Sequence, residues 1–225
     1  FGEYGGNAER NPVPIWSSED DGRSWEIAAE IPGGKIKHIH GIYPDPKGEG
    51  LWIPTGDFKG ECYLCFAPKD DLSSLVYHGD GTQAWRTVGL FFLDQKLIWG
   101  MDSQLESSKL QIWNPKGEKL QEGRNFPGPV WYCKQFIDGT AVLQTTVEKG
   151  PSVMTNRAHL YYSKNLIDWH EIASFRKDRW PMPYFKNGVI GFADGPQTKD
   201  EFPLHGEGLE KLDGRVLLAK IDQNF

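Results

Sequence analysis

The sequence predicts an all-β fold, and three observations lead to that class. Its apolar runs are short and strand-length, and few stretches show the 3.6-residue period of a helix. The 225 residues include 26 Gly and 15 Pro, so many turns are expected between the runs. The third observation is a repeat, because five runs end at Glu3, Asp57, Asp102, Thr146 and Asp194, with gaps of 54, 45, 44 and 48 residues.

Each run in this repeat is expected to have neighbouring strands before and after it. The strands that precede the later runs are predicted over 38–43, 86–93, 130–137 and 184–185. A unit of four antiparallel strands every 40 to 50 residues or so is typical of β-propeller blades. We therefore predict one β-propeller domain over 1–225 with about five blades. It is either a five-bladed propeller whose termini complete each other or, the alternative we favour, a fragment of a six- or seven-bladed one.

The last blade is predicted to use Tyr184–Phe185, the run that ends at Asp194, and Val216–Ile221. The net charge of -6, with no basic run, argues against a nucleic-acid partner. No apolar stretch approaches the length of a membrane span. Cys62 and Cys65 lie in one strand-like run, where residues three apart point to opposite faces. We expect these two thiols, and the third at Cys133, to be unpaired.

The octapeptide Ser18–Trp25 reads S-x-D-x-G-x-S-W, which suits a tight hairpin turn. Asp20 can accept hydrogen bonds from nearby amides, Gly22 can adopt a positive φ, and Trp25 can pack back onto the sheet. The octapeptide resembles the Asp-box, or BNR repeat, of sialidase-like β-propellers, and Ser163–Trp169 looks like a degenerate copy. The resemblance implies a secreted or periplasmic protein that acts on carbohydrate. The sequence as given shows no signal-peptide pattern.

The segment His38-Ile39-His40-Gly41 is the sharpest local feature. In a strand, His38 and His40 face the same side, so they can share a ligand, a metal ion or a proton-transfer task. The alternative is that both imidazoles only bind loop carbonyls and carboxylates. No cofactor is expected. The two histidines leave one alternative open, which is a metal ion bound by His38, His40 and Asp57.

The sialidase-like family also implies where a site would be built. In such propellers the loops that leave the second strand and those that enter the first strand of each blade share one face. The candidate catalytic residues there are Asp57, Asp102, His38 and His40. The candidate substrate-binding residues are Glu3, Arg86, Trp85, Trp131, Tyr132, Lys134 and Asp194. Trp99 and Trp180 are further candidates for stacking on sugar rings.

The leading hypothesis is an enzyme that cleaves a glycan. Glycosidases need one protonated and one ionised carboxyl group, and Asp57 and Asp102 are candidates for that pair. Arg86 is suited to an anionic substituent such as a uronate, which also leaves room for a lyase that uses His or Tyr as its base. Sialidases gather three arginines around the sugar carboxylate, whereas Arg86 alone occupies such a position here. The alternative is a non-catalytic propeller that binds a glycan or a protein.

Overall fold

The structure of the protein, a computed structural model, describes residues 1–117 and 119–222. These residues form 18 strands and one helical element, the 3-10 turn Gln83–Trp85. The strands are β1 (Val13–Ser17), β2 (Glu26–Ile31), β3 (His38–Ile39), β4 (Tyr43–Pro44), β5 (Gly50–Gly56), β6 (Cys62–Pro68), β7 (Val76–Gly81), β8 (Phe91–Leu93), β9 (Lys96–Gly100), β10 (Lys109–Trp113), β11 (Gln121–Asn125), β12 (Val130–Gln135), β13 (Ala141–Thr145), β14 (Arg157–Ser163), β15 (His170–Arg176), β16 (Val189–Phe192), β17 (Phe202–Glu207) and β18 (Val216–Ala219).

The strands are arranged in antiparallel meanders, in which neighbours in sequence are neighbours in the sheet. Four sheets have three or more strands: β3–β5–β6–β7 with β4 also paired to β5, β8–β9–β10–β11, β12–β13–β14–β15, and β16–β17–β18. The hairpin β1–β2 is extended by a bridge between Gly2 and Ile15. This strand order is of the β-propeller type, so the all-β class is confirmed. The count of five blades and the fragment alternative are not confirmed.

The chain divides into two compact units, Phe1–Val88 and Gly89–Phe225. The first unit has an aliphatic core of isoleucines, among them Ile31, Ile39 and Ile53, all less than 3% exposed. The second unit has two apolar clusters with more aromatic rings, one around Phe91, Phe126 and Leu143 and one around Phe136, Ile190 and Phe202. No helix in the described part of the chain is long and apolar enough to cross a membrane.

One predicted strand begins later than expected, and another is not a strand. Arg86 does not begin a strand, because Gln83–Trp85 is a 3-10 turn and the next strand begins only at Phe91. Tyr184 and Phe185 lie in a turn, where both amides donate to the carbonyl of Pro181, and their rings are exposed. The last sheet instead uses β17, which pairs with β16 and with the predicted strand at Val216.

The octapeptide forms the turn between β1 and β2, as predicted. The Ser24 amide and hydroxyl donate to the Asp20 carboxylate at 2.8 and 2.7 Å, and the Gly22 amide donates to Ser18 Oγ at 2.8 Å. Gly22 has a φ of +82°, which explains the glycine. Hydrogen bonds from Ser24, followed by that from Ser18, lower the pKa of Asp20 to about 2. Trp25 remains 47% exposed, so it packs less closely than expected.

The turn at Ser163–Trp169 repeats this geometry, as its sequence suggested. Asn165 Oδ1 accepts from the amides of Ile167 and Asp168 at 3.0 and 2.8 Å, so Asn165 takes the place of Asp20. Trp169 Nε1 donates to the Leu166 carbonyl at 3.0 Å, as Trp25 Nε1 donates to that of Gly22. Leu166 adopts a φ of +64°, the left-handed region that Asp21 and Gly22 also occupy in the octapeptide.

Candidate functional site

The two predicted histidines and Asp57 come together on the first unit. Alternation along β3 directs Ile39 into the core and turns His38 and His40 to the opposite face. Because β3 pairs with β5, with His38 opposite Gly56, the residue that follows β5 lies beside both imidazoles. Asp57 Oδ1 is 3.1 Å from His40 Nε2 and 3.4 Å from His38 Nε2. We call His38, His40 and Asp57 the His-Asp cluster.

Backbone carbonyls fix the orientation of both imidazoles. His38 Nδ1 is 2.9 Å from the Gly5 carbonyl, and His40 Nδ1 is 2.9 Å from the Thr87 carbonyl. A carbonyl oxygen only accepts, so each Nδ1 carries a proton and donates it. In the neutral rings, each Nε2 therefore presents a lone pair. These two lone pairs face each other, since the Nε2 atoms are 3.2 Å apart.

Asp57 is surrounded by positive and hydrogen-bonding groups. Lys37 Nζ donates to Oδ2 at 2.6 Å, and Arg86 Nη2 lies 3.1 Å from Oδ1. Burial of the carboxyl opposes its ionisation. The imidazoles of His38 and His40, whenever an Nε2 carries a proton, the hydrogen bond from Lys37 and the Arg86 charge together hold the pKa of Asp57 well below its usual range. Asp57 is therefore an ionised carboxylate at neutral pH and a poor proton donor.

The His-Asp cluster is closely packed. The His40 side chain is 1% exposed, and burial is the main reason why the pKa of His40 is lowered, against the opposing effect of Asp57. Gly56 is in contact with this ring, because a Cβ added there would lie 2.5 Å from His40 Cε1. The Gln83 side chain donates to the Asp57 carbonyl at 2.8 Å and so fixes the backbone on the other side. The geometry of the cluster is therefore determined by packing.

Exposed aromatic rings adjoin the cluster. The Tyr4 ring is 70% exposed, and its centroid lies 4.1 Å from that of His38, with 30° between the ring planes. Phe58, next to Asp57 in sequence, is also exposed, and the Lys37 and Arg10 cations lie over its ring. An accessible aromatic surface and the cations that pair with Asp57 thus occur on the same unit.

Glu3 and Trp85, the other two predicted site residues of the first unit, are not placed as substrate-binding side chains. The Glu3 residue is exposed. Its backbone carbonyl accepts a hydrogen bond from the Ile39 amide at 3.1 Å, so Glu3 supports β3 through its main chain. Trp85 is buried in the 3-10 turn, with its ring against Gly79. Trp85 therefore acts as a packing residue and offers little surface to a ligand.

The remaining candidates lie on the second unit. Asp102 is buried, and Trp131 and Lys134 are partly buried on β12 with Tyr132 exposed between them. Burial, with the nearby charges of Glu207 and Asp102, raises the pKa of Tyr132. Asp194 is exposed after β16.

The sequence reasoning missed several groups. It did not single out Lys37 or Tyr4, although a lysine directly before the His-Ile-His segment was a readable signal. The carbonyls of Gly5 and Thr87 leave no signal in a sequence at all.

A cavity of about 610 Å³ in the second unit was also not predicted. Its lining includes Trp180, one of the predicted sugar-stacking residues, with Phe185, Lys186, His205 and Glu207.

No protein-family model matches the sequence. No curated protein is significantly similar to it either.

Proposed function

We propose that the protein is a carbohydrate-active, sialidase-like β-propeller that binds an anionic glycan beside the His-Asp cluster and cleaves it. The observation that carries this proposal is the convergence of His38, His40 and Arg86 on Asp57, next to the exposed Tyr4 ring. The octapeptide turn supports the same family.

The chemistry around Asp57 suits a uronate-type sugar. Lys37 and Arg86 provide two cations, and a guanidinium matches a carboxylate with two parallel hydrogen bonds. Tyr4 offers an exposed aromatic face of the kind on which a sugar ring stacks. A sugar carboxylate near these cations would be partly neutralised, which makes the proton on the adjacent carbon easier to remove.

The protonation state of Asp57 decides which role it can have in cleavage. A carboxylate held ionised by its neighbours does not supply the proton that a glycosidase gives to its leaving group. In hydrolysis, Asp57 would therefore be the ionised member of the carboxyl pair. In β-elimination, a histidine of the cluster is our candidate base, and it would have to turn its Nε2 lone pair from the cluster towards the substrate. His38, which lies under Tyr4, is the nearer of the two to the accessible surface.

The test is a panel of neutral and acidic polysaccharides, with two readouts. New reducing ends report any cleavage, whereas the ultraviolet absorbance of an unsaturated uronate reports elimination alone. We expect acidic glycans to be cleaved, and Asp57→Asn and Arg86→Lys to lower kcat/KM at least tenfold. Lys37→Gln is expected to raise KM, and Lys35→Gln, at an exposed lysine nearby, to change nothing. Full activity in both Asp57→Asn and Arg86→Lys would refute the proposal.

The burial of the cluster favours a second candidate, a glycan-binding protein without turnover. His38, His40 and Arg86 have side chains that are at most 7% exposed, so a ligand reaches mainly the surrounding aromatic rings and Lys37. This candidate predicts binding of acidic glycans with no new reducing ends. It also predicts that Tyr4→Ala weakens binding more than Asp57→Asn does.

A further inference from the structure

We propose that His38, His40 and Asp57 bind one first-row transition metal ion, with Zn²⁺ as the best match. The inference goes beyond the proposed function and does not depend on it, because an ion can bind there whether or not a glycan is cleaved. It rests on the geometry of the donor atoms.

Three electron-pair donors converge in the His-Asp cluster. The Nε2 atoms of the two histidines are 3.2 Å apart, and Asp57 Oδ1 lies 3.1 and 3.4 Å from them. Both Nδ1 atoms donate to carbonyls, so in the neutral rings no proton lies between the three facing atoms. Three lone pairs at this spacing repel one another unless a cation or a proton lies between them.

The spacing matches a metal coordination sphere. Zinc lies about 2.0–2.1 Å from imidazole nitrogen and about 2.0–2.2 Å from carboxylate oxygen, which places tetrahedral ligands roughly 3.3 Å apart. The three distances in the cluster, 3.1, 3.2 and 3.4 Å, lie close to that value. The site would therefore accept an ion with small side-chain movements.

The surroundings are those of a supported metal site. Metal-binding histidines almost always donate their second N–H to a carbonyl, a carboxylate or water, which fixes the tautomer and the ring orientation. His38 and His40 both do so, through Gly5 and Thr87. Lys37 binds Oδ2, and Oδ1, which Arg86 Nη2 also contacts at 3.1 Å, is directed at the imidazoles.

The donor set also selects the kind of ion. Two imidazoles and one carboxylate suit zinc and its neighbours in the first row, whereas calcium and magnesium prefer oxygen ligands alone. Three protein ligands leave a fourth position for water or substrate. Lys37 and Arg86 lie against Asp57 and disfavour added positive charge, so we expect weaker binding than at an all-thiolate zinc site.

The experiment is a calorimetric titration of the chelator-treated protein with Zn²⁺, Co²⁺, Mg²⁺ and Ca²⁺. We expect one equivalent of Zn²⁺ or Co²⁺ to bind, with no binding of Mg²⁺ or Ca²⁺. His40→Gln and Asp57→Asn should each weaken Zn²⁺ binding at least tenfold. The matched control is His170→Gln, which removes an exposed imidazole of the second unit and should leave the affinity unchanged.

A measurement on the wild-type protein keeps the inference testable even if a cluster variant does not fold. Intense visible absorption of the Co²⁺-loaded protein is expected for four-coordinate cobalt, whereas weak absorption, typical of six ligands, would contradict the proposed zinc-type site. No binding of Zn²⁺ or Co²⁺, or equal binding in His40→Gln with a wild-type fold, would overturn the inference. Glycan cleavage by the metal-free protein is measured separately, so failure of one proposal is distinguishable from failure of the other.

Discussion

Replacement of Gly56 by alanine tests whether the geometry of the His-Asp cluster is determined by packing. A Cβ at this position would lie 2.5 Å from His40 Cε1, 2.8 Å from His40 Nε2 and 3.4 Å from Arg86 Cγ. Ordinary contacts begin near 3.4 Å, so the imidazole has to retreat by about 0.9 Å (3.4 minus 2.5). A shift of that size breaks the hydrogen bond of His40 to Thr87 or its contact with Asp57.

The expected cost follows from three contributions. Overpacking in a closely packed site costs about 1–3 kcal/mol. Each hydrogen bond that His40 loses adds about 1 kcal/mol. Alanine restricts the unfolded chain more than glycine does, which returns about 0.4–1 kcal/mol. The balance is a loss of about 1–4 kcal/mol from the free energy of unfolding, so the clash outweighs the entropic gain.

Urea unfolding of the wild type and Gly56→Ala measures this loss, and imidazole nitrogen resonances report the state of His40. The matched control is Gly6→Ala, because a Cβ at Gly6 meets nothing within 4 Å. The control should change stability by less than about 0.5 kcal/mol. Wild-type stability of Gly56→Ala, with unchanged His40 resonances, would show that the cluster tolerates displacement and would refute the reasoning.

Three further predictions concern the turn, the core and the thiols. The pKa of Asp20 is about 2 in the folded protein and higher when unfolded, so its contribution is present above about pH 4 and is lost as the pH falls through about 2. The melting temperatures of wild type and Asp20→Asn should therefore converge over that range. Leu143→Ala should cost about 2–5 kcal/mol because Leu143 is fully buried, whereas Leu218→Ala, at an exposed position, should cost less than about 0.5 kcal/mol in the same unfolding assay. Burial raises the pKa of Cys65 and Cys133 to about 12, so mass spectrometry after iodoacetamide treatment at pH 8 should find both unlabelled until the chain is unfolded.

The parts of the fold that follow local rules were predictable from the sequence. The inner strands such as β5, β9 and β13 are apolar runs that end at turn residues, and each was placed within a residue or two. The hairpin turn at Ser18–Trp25 was predictable because its hydrogen bonds connect residues at most four positions apart. The strand predicted at Tyr184 and Phe185 is wrong. Aromatic residues favour strands, but these two lie in a turn with both rings exposed.

The candidate site was predictable only in part. The meeting of His38 and His40 with Asp57 follows from side-chain alternation and from the pairing of consecutive strands, and both are readable from sequence. The carbonyls of Gly5 and Thr87 are not readable, because every residue has a carbonyl. Whether any one of them is near an imidazole depends on how distant segments pack.

The anchoring of the two imidazoles has a consequence for folding kinetics. His38 is tied to a carbonyl 33 residues away and His40 to one 47 residues away, so the cluster needs two long loops of the first unit to be closed. Closure of such loops costs entropy before any contact is gained, and contacts between distant residues slow folding. A chain that has formed its local hairpins but not these closures has no His-Asp cluster. We therefore expect the imidazole resonances to report the completion of folding in this unit, and the octapeptide turn to form earlier.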